Sequence, residues 1–122
     1  MVRVTIIVFA GWIVEDARRA QSALRSTTPM IATLIIHLHL PTCSSLKEKR
    51  GLIKPLISRL HREFNVSVAE IDLHDMWQQT LIGCAMIGND HAILESALQG
   101  VVKWVERNWP DGDVIEMKVE II

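Results

Sequence analysis

The sequence predicts a two-layer α+β domain, because its hydrophobic pattern alternates between strand and helix periods from Met30 onward. Residues 31–40 and 114–122 alternate apolar with polar side chains, as half-buried strands do. Two other segments repeat apolar residues at helical spacing. The resulting order is strand, helix, strand, strand, helix, strand. Since two helices can cover only one face of a four-stranded sheet, we expect a ferredoxin-like βαββαβ sandwich with a four-stranded antiparallel sheet.

The first strand and the first helix have distinct boundaries in the sequence. The strand of residues 31–40 ends at Pro41, which cannot donate to a sheet ladder. Residues 45–48 have the form of a capping box, in which a serine hydroxyl and a glutamate satisfy free amides at a helix start. Pro55 lies inside the helix, where we expect a bend or a fresh start. The apolar residues of this helix are Leu46, Ile53, Ile57, Leu60 and Phe64.

The second half of the domain places a hairpin before its helix. Residues 66–71 and 79–87 are predicted to be strands, joined by a polar turn that carries Trp77. Asn89 and Asp90 supply capping side chains for the second helix. Its predicted apolar face consists of Ile93, Leu94, Ala97, Val101, Trp104 and Val105. The last strand, residues 114–122, is predicted to point four side chains inward, namely Ile115, Met117, Val119 and Ile121.

Residues 1–29 differ from the rest, and we interpret them as an N-terminal extension of a domain at residues 30–122. Their apolar run, residues 4–14, rises only about 16 Å as a helix, short of the roughly 30 Å of a membrane core. We therefore expect no membrane association. Three interpretations stay open: a gene start placed too early, with Met30 as the initiator; a weakly ordered extension; or an export signal. Acidic residues directly after the run disfavour the export signal.

Composition excludes several classes of protein. The 122 residues suffice for one domain, and their hydrophobic and charged fractions are ordinary for a globular chain. A formal charge of -1 excludes nucleic-acid binding driven by bulk charge, so such binding needs a local basic patch. Two cysteines are too few for a disulfide scaffold, and we expect a reduced, cytoplasmic protein. Cys84 is expected to be a buried apolar residue, whereas Cys43 lies near a helix start that can lower its thiol pKa.

Four motifs resemble those of the YlxP-like family, a group of small bacterial proteins classed as a domain of unknown function. They are residues 39–41 (HLP), 45–50 (SLKEKR), 64–70 (FNVSVAE) and 77–78 (WQ), and the resemblance covers residues 30–122. It implies a ferredoxin-like fold. Genes of the family often lie near those for translation initiation and ribosome maturation factors, which implies a ribosome-related role. No catalytic residue is established for the family, so we expect neither an enzyme nor a cofactor.

A basic stretch of the first helix is the main candidate for a binding site. On a helical wheel Lys47, Arg50 and Lys54 share one face, where an RNA phosphate can bind. The full predicted RNA- or anion-binding set is Lys47, Lys49, Arg50, Lys54, Arg59 and Arg62. Ribosomal RNA or a ribosomal subunit is the expected partner. The alternative is an ordinary solvated helix face, with Glu48 and Glu63 partly offsetting the charge.

The uncovered face of the sheet is the second candidate surface. Ile35 lies on that face of the first strand together with His37 and His39, and an apolar patch there is typical of an interface. We expect a homodimer through this face, although the apolar run of the extension is an alternative cover. Trp77 is either a lid of the core or a partner anchor. The two histidines also suggest a metal- or small-molecule-binding dimer, but no third ligand motif accompanies them, so no metal site is predicted.

Overall fold

The computed structural model describes residues 14–122 and divides them into three helices and four strands. The elements are α1 (Val14–Ser26), β1 (Met30–His39), α2 (Leu46–Glu63), β2 (Ser67–Asp72), β3 (Gln79–Gly88), α3 (His91–Asn108) and β4 (Asp113–Ile121). From β1 onward this is the predicted order. The sheet order is β2-β3-β1-β4, and all neighbouring strands are antiparallel. The ferredoxin-like prediction is therefore confirmed.

The core lies between one face of the sheet and the helices α2 and α3. Every second residue of β1 is fully buried, as strand alternation predicts: Ala32, Leu34, Ile36 and Leu38. Buried apolar residues of the helices face them: Ile53, Leu56 and Leu60 from α2, and Leu94, Leu98, Val101, Val102 and Val105 from α3. Ile93 is 65% exposed, so its predicted place in the core is wrong, and Leu98 takes the buried position one turn after Leu94.

A bulge in β4 changes which side chains point inward. His37 lies opposite Glu116, but its neighbour Leu38 lies opposite Val114, so Ile115 is an extra residue in the ladder. Val114 consequently packs against the core while Ile115 is exposed, which corrects the predicted inward position of Ile115. Val119, which lies opposite the buried Leu34, packs against the core as predicted. The bulge therefore shifts the alternation only at the start of β4.

Side chains cap both long helices, as the sequence predicts. Ser45 accepts a hydrogen bond from the Glu48 backbone N–H at 3.1 Å, and Asp90 accepts one from the Ile93 N–H at the same distance. The Glu48 carboxylate accepts from the N–H and hydroxyl of Ser44, one residue earlier than a capping box requires. Helix α2 continues through Pro55 without a break. The expected fresh start at Pro55 is therefore not observed.

The extension is described from residue 14 onward, where α1 forms and most side chains are exposed. The apolar run at residues 4–14 lies almost wholly outside the described residues. Within residues 14–122, no helix combines the length and the apolar character that crossing a membrane requires. The division into residues 1–29 and 30–122 stays a prediction.

Candidate functional site

Four cations line the outer surface of α2. Lys47, Arg50, Lys54 and Arg62 are exposed, and none of them lies within 4.0 Å of a carboxylate in the described part of the chain. At 100° per residue the four fall within an arc of about 120°, and they span about 22 Å along the helix axis. We call this set the basic ridge. Glu48 makes no ion pair with the ridge, since its carboxylate accepts hydrogen bonds from Ser44.

Lys49, which the sequence analysis places in the anion-binding set, is buried inside the protein. Its side chain is 2% exposed, and its Nζ lies 2.9 Å from Glu70 Oε2 and donates to the Leu73 carbonyl at 2.6 Å. An external phosphate therefore cannot reach it, and the prediction for Lys49 is wrong. Its position carried the signal, because residues 49, 53, 56 and 60 form the buried stripe of α2.

Glu70 is the acceptor that makes this burial possible. Burial by itself raises the pKa of a carboxyl group. The hydrogen bonds from Thr80 (2.6 Å) and Lys49 and the positive charge of Lys49 outweigh burial, and the pKa of Glu70 lies below its ordinary value. Glu70 is therefore an ionised partner for a buried ammonium group. This pair is a structural cluster under α2 and not part of the ridge.

Arg59, another residue of the predicted binding set, packs against α3. Its guanidinium lies 4.7 Å from the centroid of the Trp104 ring, and its Nη1 donates to the Asn108 carbonyl at 3.3 Å. The Trp104 ring also packs edge-to-face against Phe64, with ring centroids 6.3 Å apart. Arg59 thus holds the end of α2 against α3 through a cation–π contact. Its predicted role in anion binding stays a prediction, and Arg59 is not counted in the basic ridge.

Hydrogen bonds connect the turn between β2 and β3 to the start of α2 and to the loop before it. Leu73, with φ of 61°, adopts a left-handed conformation that is costly for a leucine, and Lys49 binds its carbonyl. Gln78 donates to the carbonyls of Pro41 and Cys43 in the loop before α2. Trp77, between these anchors, is 53% exposed. Trp77 is therefore not a lid of the core, and the alternative of a partner anchor stays open.

The open face of the sheet contains an apolar hollow of about 370 Å³. Its floor includes Gly83 and Ala85 of β3, and its walls include Ile35 and Ile71. At Gly83 an added Cβ would lie 2.9 Å from Ile71 Cγ2, so the Ile71 side chain covers Gly83 and would have to shift for any larger residue. The predicted apolar character of this face is present. Three isoleucines stand exposed around the hollow: Ile31, Ile71 and Ile87.

His37 and His39 share the open face of β1, and within residues 14–122 no third metal ligand joins them. His37 Nε2 donates to Gln79 Oε1 at 2.8 Å. On the neighbouring strand β4, Glu116 lies opposite His37 and Asp113 lies opposite His39. Among residues 14–122 no group of three histidine, cysteine or acidic side chains is close enough to hold a metal ion. The metal-binding alternative thus has two ligands at most in this region.

Both cysteines are buried and unpaired. Burial raises the pKa of the Cys84 thiol to about 11, as suits an apolar core residue. Burial and the nearby Glu48 carboxylate also raise the pKa of Cys43, and the charge of Lys49 opposes them only in part. The expected lowering of the Cys43 pKa by the helix start is therefore wrong, and neither thiol is an activated nucleophile.

Two comparisons with known proteins show what the chain is similar to. The model of the family described as "Protein of unknown function (DUF503)" matches residues 31–119, which run from β1 into β4. The chain is also 39% identical over 62 residues to the "Uncharacterized protein YlxP" of Bacillus subtilis (strain 168). That alignment covers 51% of this chain and 67% of the relative. The match to the family model includes the basic ridge and the open face of the sheet.

Proposed function

We propose that this chain, which belongs to the DUF503 family and is similar to YlxP as the resemblance implied, is a non-enzymatic cytoplasmic module that binds RNA. The observation that supports the proposal is the basic ridge on α2. Its four cations are exposed on one helix and have no carboxylate partner within residues 14–122. Ribosomal RNA, free or in a subunit, is the proposed partner.

The ridge is suited to phosphates more than to bases. Lysine and arginine side chains along about 22 Å of helix match a row of backbone phosphates, which carry no sequence information. Ferredoxin-like RNA readers instead stack bases on aromatic rings of their central strands. The central strands β1 and β3 carry only His37 and His39 as ring side chains. We therefore propose binding to the RNA backbone with little sequence preference.

Phosphate contacts predict a defined salt dependence. Each neutralised phosphate releases counterions, so four contacts give a slope of log K against log salt of about -3 on single strands and somewhat steeper on a duplex. Raising the salt from 50 to 200 mM should then weaken binding by roughly 50-fold or more. An ordinary solvated helix face would show no such dependence at micromolar protein.

A matched pair of double variants tests the proposal. Arg50→Gln with Lys54→Gln removes two charges from the ridge, and Lys103→Gln with Arg107→Gln removes two exposed charges from α3. Binding to ribosomal RNA is measured by fluorescence anisotropy over a salt series, and subunit association by co-sedimentation. The ridge variant should lose affinity and reduce the slope by about 1.5, since each contact contributes about 0.7–0.9. The α3 variant should keep the original slope. Equal losses in both variants, or no binding by the unmodified chain, would contradict the proposal.

A further inference from the structure

The outer edge of β4 is free to pair with a further strand. β4 is the last strand in the sheet order, and β1 is its neighbour in the described part of the chain. Ile122 exchanges two backbone hydrogen bonds with Ile31 of β1. Because the N–H and C=O groups of successive residues point to opposite sides of a strand, every second residue before Ile122 also faces β1. The backbone groups of Met117, Val119 and Ile121 therefore face outward.

The opposite edge of the sheet is less available for pairing. Its strand, β2, has only six residues, and two histidine side chains bind carbonyl groups of β2 or next to it. His61 Nδ1 donates to the Val66 carbonyl at 3.1 Å, and His74 Nε2 donates to the Glu70 carbonyl at 3.2 Å. β4 has nine residues, and its bulge lies near its start, so residues 116–122 form a regular edge.

The core-facing row of β4 is only partly covered. Met117, Val119 and Ile121 lie opposite fully buried residues of β1. None of the nine residues of β4 is itself buried, although α3 packs against the strand, and Met117 is 38% exposed. A strand added at the outer edge would extend the sheet and cover this row with its own apolar side chains.

We propose that the outer edge of β4 pairs with the same edge of a second copy of the chain, antiparallel, with a twofold axis at Val119. Around this axis Lys118 lies opposite Glu120 of the second copy, and Met117 lies opposite Ile121, each twice by symmetry. The three outward-facing residues of each copy then form six backbone hydrogen bonds across the axis. The two four-stranded sheets become one sheet of eight strands.

Charge and the bulge select this register over its neighbours. An axis at Lys118 would place two lysines opposite each other, and an axis at Glu120 would do the same with two glutamates. Like charges directly opposite each other destabilise a strand pair. An axis at Met117 would extend the pairing across the bulge at Ile115, where the alternation of side chains changes. The axis at Val119 avoids these conflicts.

The contacts indicate a reversible dimer. Main-chain hydrogen bonds provide the affinity when a strand is added to a sheet edge, and exposed ion pairs add little. Lys118 and Glu120 already form an ion pair of 2.8 Å within one strand, and in the dimer each gains a second partner. The dimer does not depend on RNA binding, because the basic ridge lies on α2, which packs against β2 at the far end of the sheet.

A charge swap tests the dimer and its register. Lys118→Glu places glutamates opposite each other at both symmetric positions, and we expect it to weaken association about tenfold or more. Lys118→Glu combined with Glu120→Lys restores opposite charges across the axis and should restore association. Sedimentation equilibrium of the full chain, up to millimolar concentration, measures the dissociation constants.

Lys54→Glu makes the same charge change at an exposed position of α2 and is the control. It should associate as the unmodified chain does, and all variants should keep the circular dichroism spectrum. An unmodified chain that is monomeric throughout, as it would be if residues 1–13 paired with the edge, overturns the proposal. A double variant that associates as weakly as Lys118→Glu also overturns it.

A disulfide experiment tests the position of the axis without relying on charge. In the proposed register, residues 118 and 120 of different copies have Cα atoms about 4.5 Å apart, within reach of a disulfide, whereas identical positions lie about 7–8 Å apart. A mixture of Lys118→Cys and Glu120→Cys chains should therefore form mixed disulfide dimers, and each chain alone should form few. Both native cysteines are buried and should not interfere. Equal linking in the mixture and in the separate chains, or no linking at all, would show that the pairing is wrong.

Discussion

The ion pair under α2 provides the sharpest test of how this fold is stabilised. Lys49→Met keeps most of the side-chain stem and removes the ammonium group that binds Glu70 and the Leu73 carbonyl. Removing one partner of a buried pair costs about 3–5 kcal/mol, because the other charge stays buried. The Glu70 side chain is 19% exposed and keeps its bond from Thr80, so we expect the lower end, about 3 kcal/mol. For a domain of this size, that lowers Tm by roughly 12–24 °C.

A double-mutant cycle separates the pair from its surroundings. Glu70→Gln should also be strongly destabilising, since it leaves the Lys49 ammonium without a counter-charge. The double variant should cost less than the sum of the single variants by about 1–3 kcal/mol, as for residues in direct contact. Urea unfolding at neutral pH, followed by circular dichroism, gives the four free energies. Lys54→Met, on the exposed side of the same helix, is the control and should stay within about 0.5 kcal/mol. A loss below about 1 kcal/mol for Lys49→Met, or strict additivity in the cycle, would refute the reasoning.

Three further predictions concern pH, thiol chemistry and capping. Folding lowers the pKa of Glu70, so the ionised carboxylate stabilises the protein fully above the ordinary pKa of 4.5. This stabilisation is lost as the pH falls through the lower pKa of the folded state. A titration of the unfolding free energy with acid should show the loss in the unmodified chain and not in Glu70→Gln. With its pKa raised to about 11, Cys84 should react with a disulfide reagent at pH 8 only at the rate of unfolding, and rapid labelling of folded protein would contradict its burial. Ser45→Ala should destabilise the protein by about 1 kcal/mol in thermal unfolding, whereas Ser58→Ala, at an exposed position within α2, should not.

The element order and the caps could be predicted because they depend on local patterns. The alternation of β1 identifies its buried face, and the serine and aspartate caps mark both helix starts within a residue. The position of Lys49 along α2 is also visible in the sequence, but a lysine is usually exposed, and the prediction rests on its charge. Lys49 lies on the buried stripe with Ile53 and Leu60, yet its charge placed it in the binding set. A charged residue in an apolar stripe is better interpreted as half of a buried pair.

Features that depend on pairing between strands were not accessible from periodicity. The bulge in β4 inserts one residue opposite β1, and a one-residue slip moves side chains to the other face of a sheet. Ile115 was therefore predicted on the wrong side. The hollow around Gly83 needs the register of β3 against β1 and the approach of Ile71 from β2. None of these strand pairs is encoded in the spacing of a single segment.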